Sequence, residues 1–231
     1  MWTGKDIVWY IVDGYKSTQN KKQIEALYKQ IKDNQHMSAQ IELPQSVEQD
    51  ALTIMSLTAL REINEDIQGW ITIEGTPIHD PIVQHSDNDF YLNHNINKEK
   101  SPRGALFLDE QFVEADEQIV IYGHHMKDNS MFGSLDFVLD KVIDVSEYPI
   151  TVQINDDIAQ WEIFSAYIYS PEDSFFQLKF IDEQDKQSYI DLIVSKSLQS
   201  YSMPPHNDEK ILTLVTCYYT EYDARLIIHA K

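Results

Sequence analysis

From Gly69 onward the sequence is a succession of short apolar runs broken by turn-forming residues, and this texture restricts the fold more than any other feature of the chain. The runs are Trp70-Ile-Thr-Ile, Pro81-Ile-Val-Gln, Ala105 to Leu108, Gln118 to Tyr122, Ile150 to Ile154, Gln160 to Tyr169, Ile211 to Thr216 and Leu226 to His229. Gly, Pro, Asn and Asp punctuate them, so they read as strands. Strands at such spacing predict a barrel or sandwich rather than alternating β-α units. One excursion interrupts them. Between Pro171 and Pro204, Tyr189, Leu192, Ile193 and Lys196 fall on one side of a helix that Asp182 can cap. Ahead of Gly69 the texture is helical: Ile24, Leu27, Tyr28 and Ile31 recur at i, i+3, i+4 and i+7. After Pro44, Ser46 and Gln49 have capping-box spacing, and Leu57, Leu60 and Ile63 continue a helix to Asn64. No repeat, low-complexity segment or flexible linker is evident.

Composition narrows the function. The 231 residues hold 18 Lys plus Arg against 38 Asp plus Glu, a formal charge of −20, which argues against a nucleic-acid partner. An aromatic content of 11% supplies a sizeable core, so the charge does not imply disorder. No run approaches the roughly 18 apolar residues of a membrane span, and the opening residues lack the features of a signal peptide. Trp2, Trp9 and Tyr10 fit either an interfacial belt following a removed anchor or a packed amphipathic helix.

A single cysteine excludes an internal disulfide and any Cys-based zinc site. Cys217 ends the run Ile211-Leu-Thr-Leu-Val-Thr, and Arg225 opens the next. If these are antiparallel neighbours joined by a loop over 218–224, Cys217 and Arg225 meet across its mouth. His124 follows the strand Gln118 to Tyr122 and the permissive Gly123, again at a strand end. Nucleophile, proton carrier and oxyanion partner are thus available, although a lone Cys after an apolar strand is equally consistent with an inert core residue. A rival reading makes His124 and His125 metal ligands, but adjacent strand residues point to opposite faces and no HExxH pattern is present. His79, His85, His94, His206 and His229 have no ligand spacing and read as surface or core residues. Asp87, Asn88 and Asp89 lack the calcium-loop spacing and read as a turn.

Thr213-Leu-Val-Thr-Cys217 resembles the TLxTC signature of sortases, with Arg225 opening the following strand as that family's arginine does. Tyr122-Gly-His-His-Met126 and Ser130-Met-Phe-Gly-Ser-Leu135 resemble the Y-G-H-N-M and S-M-F stretches of class B sortases. The segments Ile63 to Trp70, Pro81 to Gln84 and Asp87 to His94 are similar to that class in the same order. The likeness covers about residues 57–231. It implies a mainly β fold with helices: an eight-stranded barrel, an N-terminal helical segment over 1–45, a barrel domain over 46–231, and a helix near 171–204 between strands six and seven. It implies Cys217 as nucleophile, His124 as general acid and base, and Arg225 as stabiliser of the tetrahedral intermediate. Thr216, His125 and Tyr218 are the candidate substrate-binding residues, His125 standing where the class often has Asn. Tyr218 and Tyr219 stand where relatives commonly have acidic or polar residues.

The chemistry so implied is cleavage of a sorting signal similar to NPxTN, NPxTG or LPxTG after its Thr, through a thioester, and transfer to an amine of a cell-wall precursor or a pilin lysine. Water is the default acceptor, and no metal or organic cofactor is required. The expected location is the outer face of a Gram-positive membrane, held by an N-terminal span preceding Trp2 that this chain omits. The alternative is a non-catalytic barrel of the same kind that holds a peptide without cutting it. A cysteine protease of another fold lacks the local signature expected around its Cys.

Overall fold

The computed structural model describes residues 12–14, 16–27, 29, 57–169, 177, 179–218 and 224–231. Its strands are β1 (Ile67–Ile73), β2 (His79–Val83), β3 (Leu106–Leu108), β4 (Gln118–Gly123), β5 (Ile150–Ile154), β6 (Asp157–Trp161), β7 (Ile163–Tyr169), β8 (Ile211–Tyr218) and β9 (Ala224–Ala230). Helical residues 12–14 and 16–27 form α1, 57–61 form α2, and Glu183–Lys196 form α3. The strands make one sheet in the order β6-β5-β1-β2-β3-β4-β8-β9-β7. Among the described strands only β2–β3 and β4–β8 are parallel pairs.

The two edges of this sheet, β6 and β7, are consecutive in the chain and separated by Glu162 alone. Glu162 N–H donates to the Lys231 carbonyl (2.9 Å) and its carbonyl accepts from Lys231 N–H (3.0 Å). A sheet whose edges are joined by one residue curls into a nearly closed barrel, which limits exposure of unpaired strand edges. The expected count of eight strands needs correcting to nine: the predicted run Gln160 to Tyr169 is broken at Glu162, where the chain leaves its pairing with β5 and starts pairing with β9. With 157–169 taken as one bent strand the count returns to eight, and α3 lies between strands six and seven.

Alternation along the strands separates two faces. Ile119 and Ile121 of β4, Leu212 and Leu214 of β8, and Leu226 and Ile228 of β9 turn into the barrel and pack with Ile71, Leu106 and Val152. Phe132, Leu135 and Val138, from the 3-10 helix Phe132–Leu139, join that cluster. Outside the barrel, Ile24 of α1 and Leu57 and Leu60 of α2 cover Trp70, Val83 and Phe107. Ile63, predicted to continue the helical stripe, is 43% exposed. The helix stops before it: the Ile63 and Asn64 N–H groups both turn back to the Leu60 carbonyl, and the Asn64 side chain donates to Tyr91 Oη and the Ile96 carbonyl. Tyr28, Ile31, the Ser46–Gln49 box, the aromatic residues before 11 and the boundary at 45 lie outside the described residues.

α3 closes the opposite side. Asp182 caps it as predicted, its Oδ1 accepting from Asp185 N–H at 2.9 Å. The buried face is Lys186, Tyr189, Ile190 and Ile193, set against Phe164, Tyr167, Ile211 and Ile227. Leu192 and Lys196, expected on that side, are only half-buried. The stripe is displaced because Lys186 is buried instead: its ammonium donates to the Asn207 (2.6 Å) and Glu209 (2.8 Å) carbonyls and pairs with Glu117. A buried cation persists only when so satisfied.

Between α3 and the sheet lies a buried polar chain. Gln118 Nε2 donates to Tyr189 Oη and Thr213 Oγ1, Thr213 Oγ1 meets His229 Nδ1 at 2.9 Å, and His229 Nε2 meets Tyr167 Oη at 3.2 Å. Burial pushes the His229 imidazole down to about 3 from its usual 6.5. The unfolded chain therefore binds a proton, as pH falls through about 6.5, that the folded chain refuses, and stability declines with acidification until about pH 3. Between pH 7.5 and 5.0 this one group should remove ~2 kcal/mol. Urea unfolding at those two pH values should show a smaller acid loss for His229→Gln than for the parent protein. Equal losses would trace the acid sensitivity elsewhere.

Candidate active site

The centre of the sheet brings the three sequence-predicted groups into one row. β4 runs parallel to β8 with Gly123 opposite Thr216, so His124 and Cys217, each one residue further, occupy neighbouring positions. β8 runs antiparallel to β9 with Cys217 opposite Arg225 and Tyr218 opposite Ala224. Adjacent strands lie roughly 4.8 Å apart, so the row from His124 to Arg225 spans about 10 Å. β7 extends it, with Tyr169 opposite Arg225. The expected meeting of Cys217 and Arg225 across a loop mouth is thus observed in the backbone register. Residues 219–223, including Tyr219 and the acidic groups that could pair with Arg225 at the surface, lie outside the described residues.

His124 lies just past the end of β4, and several local devices fix it there. Gly123 lets the strand end press on the core, since a Cβ there would stand 2.4 Å from Leu106 Cδ2 and 2.7 Å from the Phe132 ring. The His124 carbonyl accepts from Phe132 N–H at 3.0 Å. Its ring Nε2 lies 2.6 Å from the Leu92 carbonyl. A carbonyl oxygen cannot donate, so this bond places the imidazole proton on Nε2 and makes Nδ1 the basic nitrogen of the neutral ring.

His125 turns the other way. Its Nε2 lies 2.9 Å from Asp136 Oδ1, and its backbone bridges to Met131. The two adjacent histidines have different partners, and among the described residues no cluster of three or more His, Cys, Asp or Glu is arranged to hold a metal ion. Thr216 is 1% exposed and sits between Gly123 and Leu226, on the core side of the barrel wall rather than on an open surface. Asp87 makes the predicted turn: its Oδ1 accepts from Asp89 and Phe90 N–H, and these bonds hold its carboxyl below the usual carboxylate range.

Beside the row stands Tyr122, whose hydroxyl donates to Asp109 Oδ2 at 2.9 Å while Asn88 Nδ2 donates to the same oxygen. Burial, then the Asp109 charge, pushes the Tyr122 phenol upward, and the Arg225 guanidinium opposes them. Tyr122 therefore remains a neutral donor close to a cation. Leu92, Asp136, Tyr122 with Asp109, and Arg103 were not singled out by residue type. Leu92, inside the segment Asp87 to His94, and Tyr122, which opens Tyr122-Gly-His-His-Met126, carried a sequence signal.

A family model described as a sortase domain matches residues 71–231. A curated relative, sortase B of Listeria monocytogenes, is 33% identical over 180 residues, covering 76% of this chain and 73% of the relative. The structure of a C232S mutant of Clostridium perfringens sortase B superposes with a TM-score of 0.76 at 33% identity, covering 88% of this chain and 95% of that one. A Staphylococcus aureus sortase B–substrate complex superposes with a TM-score of 0.75 at 28% identity, covering 92% and 97% of the two chains.

The loop behind His124 is packed closely enough to test. A Cβ on Gly133 would lie 2.1 Å from the Met126 carbonyl oxygen, a contact with backbone that cannot rotate away. Gly133→Ala should cost roughly 1–3 kcal/mol of stability and lower peptide turnover with it, because Phe132, its neighbour, holds the His124 carbonyl. Thermal melting and a cleavage assay on one preparation decide this. An alanine variant with an unchanged melting temperature would show that the loop yields freely.

Proposed function

Because this chain belongs to the sortase family and is a cysteine transpeptidase of the sortase B type, we propose that Cys217 is its nucleophile, His124 its general acid and base, and Arg225 the stabiliser of its oxyanion. The supporting observation is the single row His124, Cys217, Arg225 across β4, β8 and β9. In the first step Cys217 sulfur attacks the Thr carbonyl carbon of a sorting signal, and His124 Nδ1 takes the thiol proton. The carbonyl oxygen gains negative charge as the tetrahedral intermediate forms. Arg225 can direct two N–H donors at it, which an ammonium cannot do with the same geometry. As the C–N bond breaks, the imidazolium returns its proton to the departing amine and a thioester remains. The Leu92 carbonyl continues to hold Nε2–H throughout, so the ring exchanges protons at one nitrogen without turning.

In the second half an incoming amine attacks the thioester, His124 removes its proton, and Cys217 leaves as the restored thiol. The proposed donor is a surface protein bearing an NPxTN-, NPxTG- or LPxTG-like signal, in keeping with a relative whose structure is that of a sortase B–substrate complex. The proposed acceptor is a cell-wall precursor amine or a pilin lysine, and water when neither is present. Such acceptors place the enzyme at the outer face of the membrane, and an N-terminal span ahead of Trp2 is the proposed anchor. Among the described residues no helix is long and apolar enough to cross a membrane. Thr216, next to Cys217 on the same strand β8, acts by packing on the core side of the barrel wall, while His125, tied to Asp136, borders the groove and supports the loop. Tyr218 is the proposed groove contact from β8.

Mass spectrometry of the protein mixed with a panel of sorting-signal peptides, with and without amines, should show a thioester adduct and its transfer. Cys217→Ala should abolish the adduct, and adduct formation by that variant would end the assignment. His124→Ala should lose orders of magnitude in turnover while His125→Asn keeps most of it; the reverse order would move the catalytic role by one residue. Arg225→Lys should acylate roughly 10²-fold more slowly or worse, the typical cost of an oxyanion donor, with little change in melting temperature. A Lys variant as fast as the parent would leave oxyanion stabilisation to backbone N–H groups.

A further inference from the structure

Arg103 is 8% exposed, and the partners of its guanidinium come from two separate stretches of chain. Its Nη1 donates to Ser130 Oγ at 2.7 Å and pairs with Asp128 Oδ2 at 2.7 Å, in the loop that follows His124 and His125. Ser130 Oγ in turn donates to Asp128 Oδ1 at 2.6 Å, closing a small ring of polar contacts. On its other side the guanidinium faces α1. Its Nε lies 3.9 Å from Asp13 Oδ2, and a Cβ on Gly14 would stand 2.7 Å from Nη2, so the helix passes directly over it. Ser101 Oγ donates to the same Asp13 oxygen.

The segment carrying Arg103 also lies behind the carbonyl that fixes the His124 ring. Gly104 adopts a positive φ of 61° and approaches so closely that a Cβ there would be 2.3 Å from the Tyr91 carbonyl oxygen and 3.1 Å from that of Leu92. The Ser101 and Ala105 N–H groups bond to the Asn93 and Tyr91 carbonyls. Residues 101–105 are thus attached to both supports of His124: the loop that continues from it, through Arg103, and the turn that presents the Leu92 carbonyl, through Gly104. Asn129 and Met131, which flank Ser130, also have positive φ (63° and 52°), a conformation that persists where surrounding contacts impose it.

We propose that Arg103 is a positioning residue for the transpeptidase reaction, clamped by Asp13 of α1 on one side and by Asp128 and Ser130 on the other, and that it holds His124 in the orientation and tautomer that proton transfer with Cys217 requires. α1 thereby takes part in the chemistry from a distance, since it supplies the acidic group and the close-packed glycine that keep Arg103 in place. The proposal rests on the assignment of His124 as proton carrier. Arg103 touches no reacting atom, so its loss acts through geometry, for which a misplacement of about 1 Å can cost up to about 10²-fold.

Two variants and two readouts separate the possibilities. Arg103→Gln keeps a donor for Ser130 and removes the charge. Asp128→Asn changes a half-exposed carboxylate and leaves Arg103 itself in place, so it decides the matter should the first variant fold poorly. Long-range 15N–1H spectra of the 15N-labelled protein should show His124 as one neutral tautomer, protonated on Nε2, in the parent and as a mixture in both variants. Iodoacetamide alkylation of the one cysteine, followed against pH, should change in both variants towards the profile of His124→Ala. Acylation by a sorting-signal peptide that the parent cleaves should fall roughly 10-fold or more, with KM kept within about twofold. Parent-like tautomer, alkylation profile and acylation rate in the variants, beside an altered profile in His124→Ala, would overturn the role of Arg103 alone. An unaltered profile in His124→Ala would overturn the coupling of His124 to Cys217 and, with it, the proposal.

Discussion

The register between β4, β8 and β9 is the constraint on which the remaining features depend. A shift of one residue in either ladder would exchange the inward and outward faces of β8, exposing Leu212 and Leu214 and withdrawing the row that contains Cys217. The register is therefore fixed by hydrophobic burial along the whole strand rather than by any interaction at the active site. Ile119 and Ile121 lie opposite Leu212 and Leu214, and Leu214 opposite Ile228, so any one-residue slip would turn part of this set out of the barrel. The position of Cys217 relative to Arg225 follows from core packing several residues away.

The outer face of the same strands is held just as firmly, by different means. Gln118, Thr213, His229, Tyr167 and Tyr189 form a continuous hydrogen-bonded chain under α3. Its members come from β4, β8, β9, β7 and α3, so a slip of one strand would leave several buried polar groups without partners, which is more costly than losing a neutral hydrogen bond in water. The barrel interior opposes slippage through apolar packing and the layer under α3 opposes it through polar satisfaction. Two independent penalties defend one alignment.

Much of this was legible in the sequence, for identifiable reasons. Apolar runs bounded by turn residues marked the strands, and Ile150 to Ile154 was recovered to the residue because both ends carry turn signals. Asp182 was readable as a cap because capping depends on three or four local residues. Where the reading failed, tertiary structure decided. Ile63 keeps helical spacing but the helix has already ended, since Asn64 is drawn towards Tyr91 and Ile96, about thirty residues later. Lys186 is buried by carbonyls that no periodicity reveals. Glu162 divides one apolar run because the last residue of the chain pairs with it. The site showed the same division: Cys217, His124 and Arg225 were visible as reactive residue types at strand ends. Leu92 contributes only a backbone carbonyl, so residue type does not reveal it although it lies within the similar segment Asp87 to His94, and Asp136 is an ordinary surface carboxylate with no local signature.

The row is also uneven in how its members are held, and this accounts for the shape of the sequence signals. Cys217 and Arg225 lie inside a ladder, where backbone hydrogen bonds fix their spacing, so a few residues of β8 and Arg225 near the start of β9 suffice to mark them. His124 lies one residue beyond its strand, where the ladder no longer constrains it. Its backbone is held by Phe132, its ring by Leu92, and the loop that continues from it by Asp128, Ser130 and Met131. Each of these belongs to a segment with its own turn geometry, and each must be right for the imidazole to present Nδ1. The similarity around the histidine accordingly takes in Asp87 to His94, Tyr122 to Met126 and Ser130 to Leu135, whereas that around the cysteine takes in Thr213 to Cys217 and Arg225. A histidine held outside the sheet can be displaced without unfolding the barrel, so substitutions around these loops should separate activity from stability more readily than substitutions within β8.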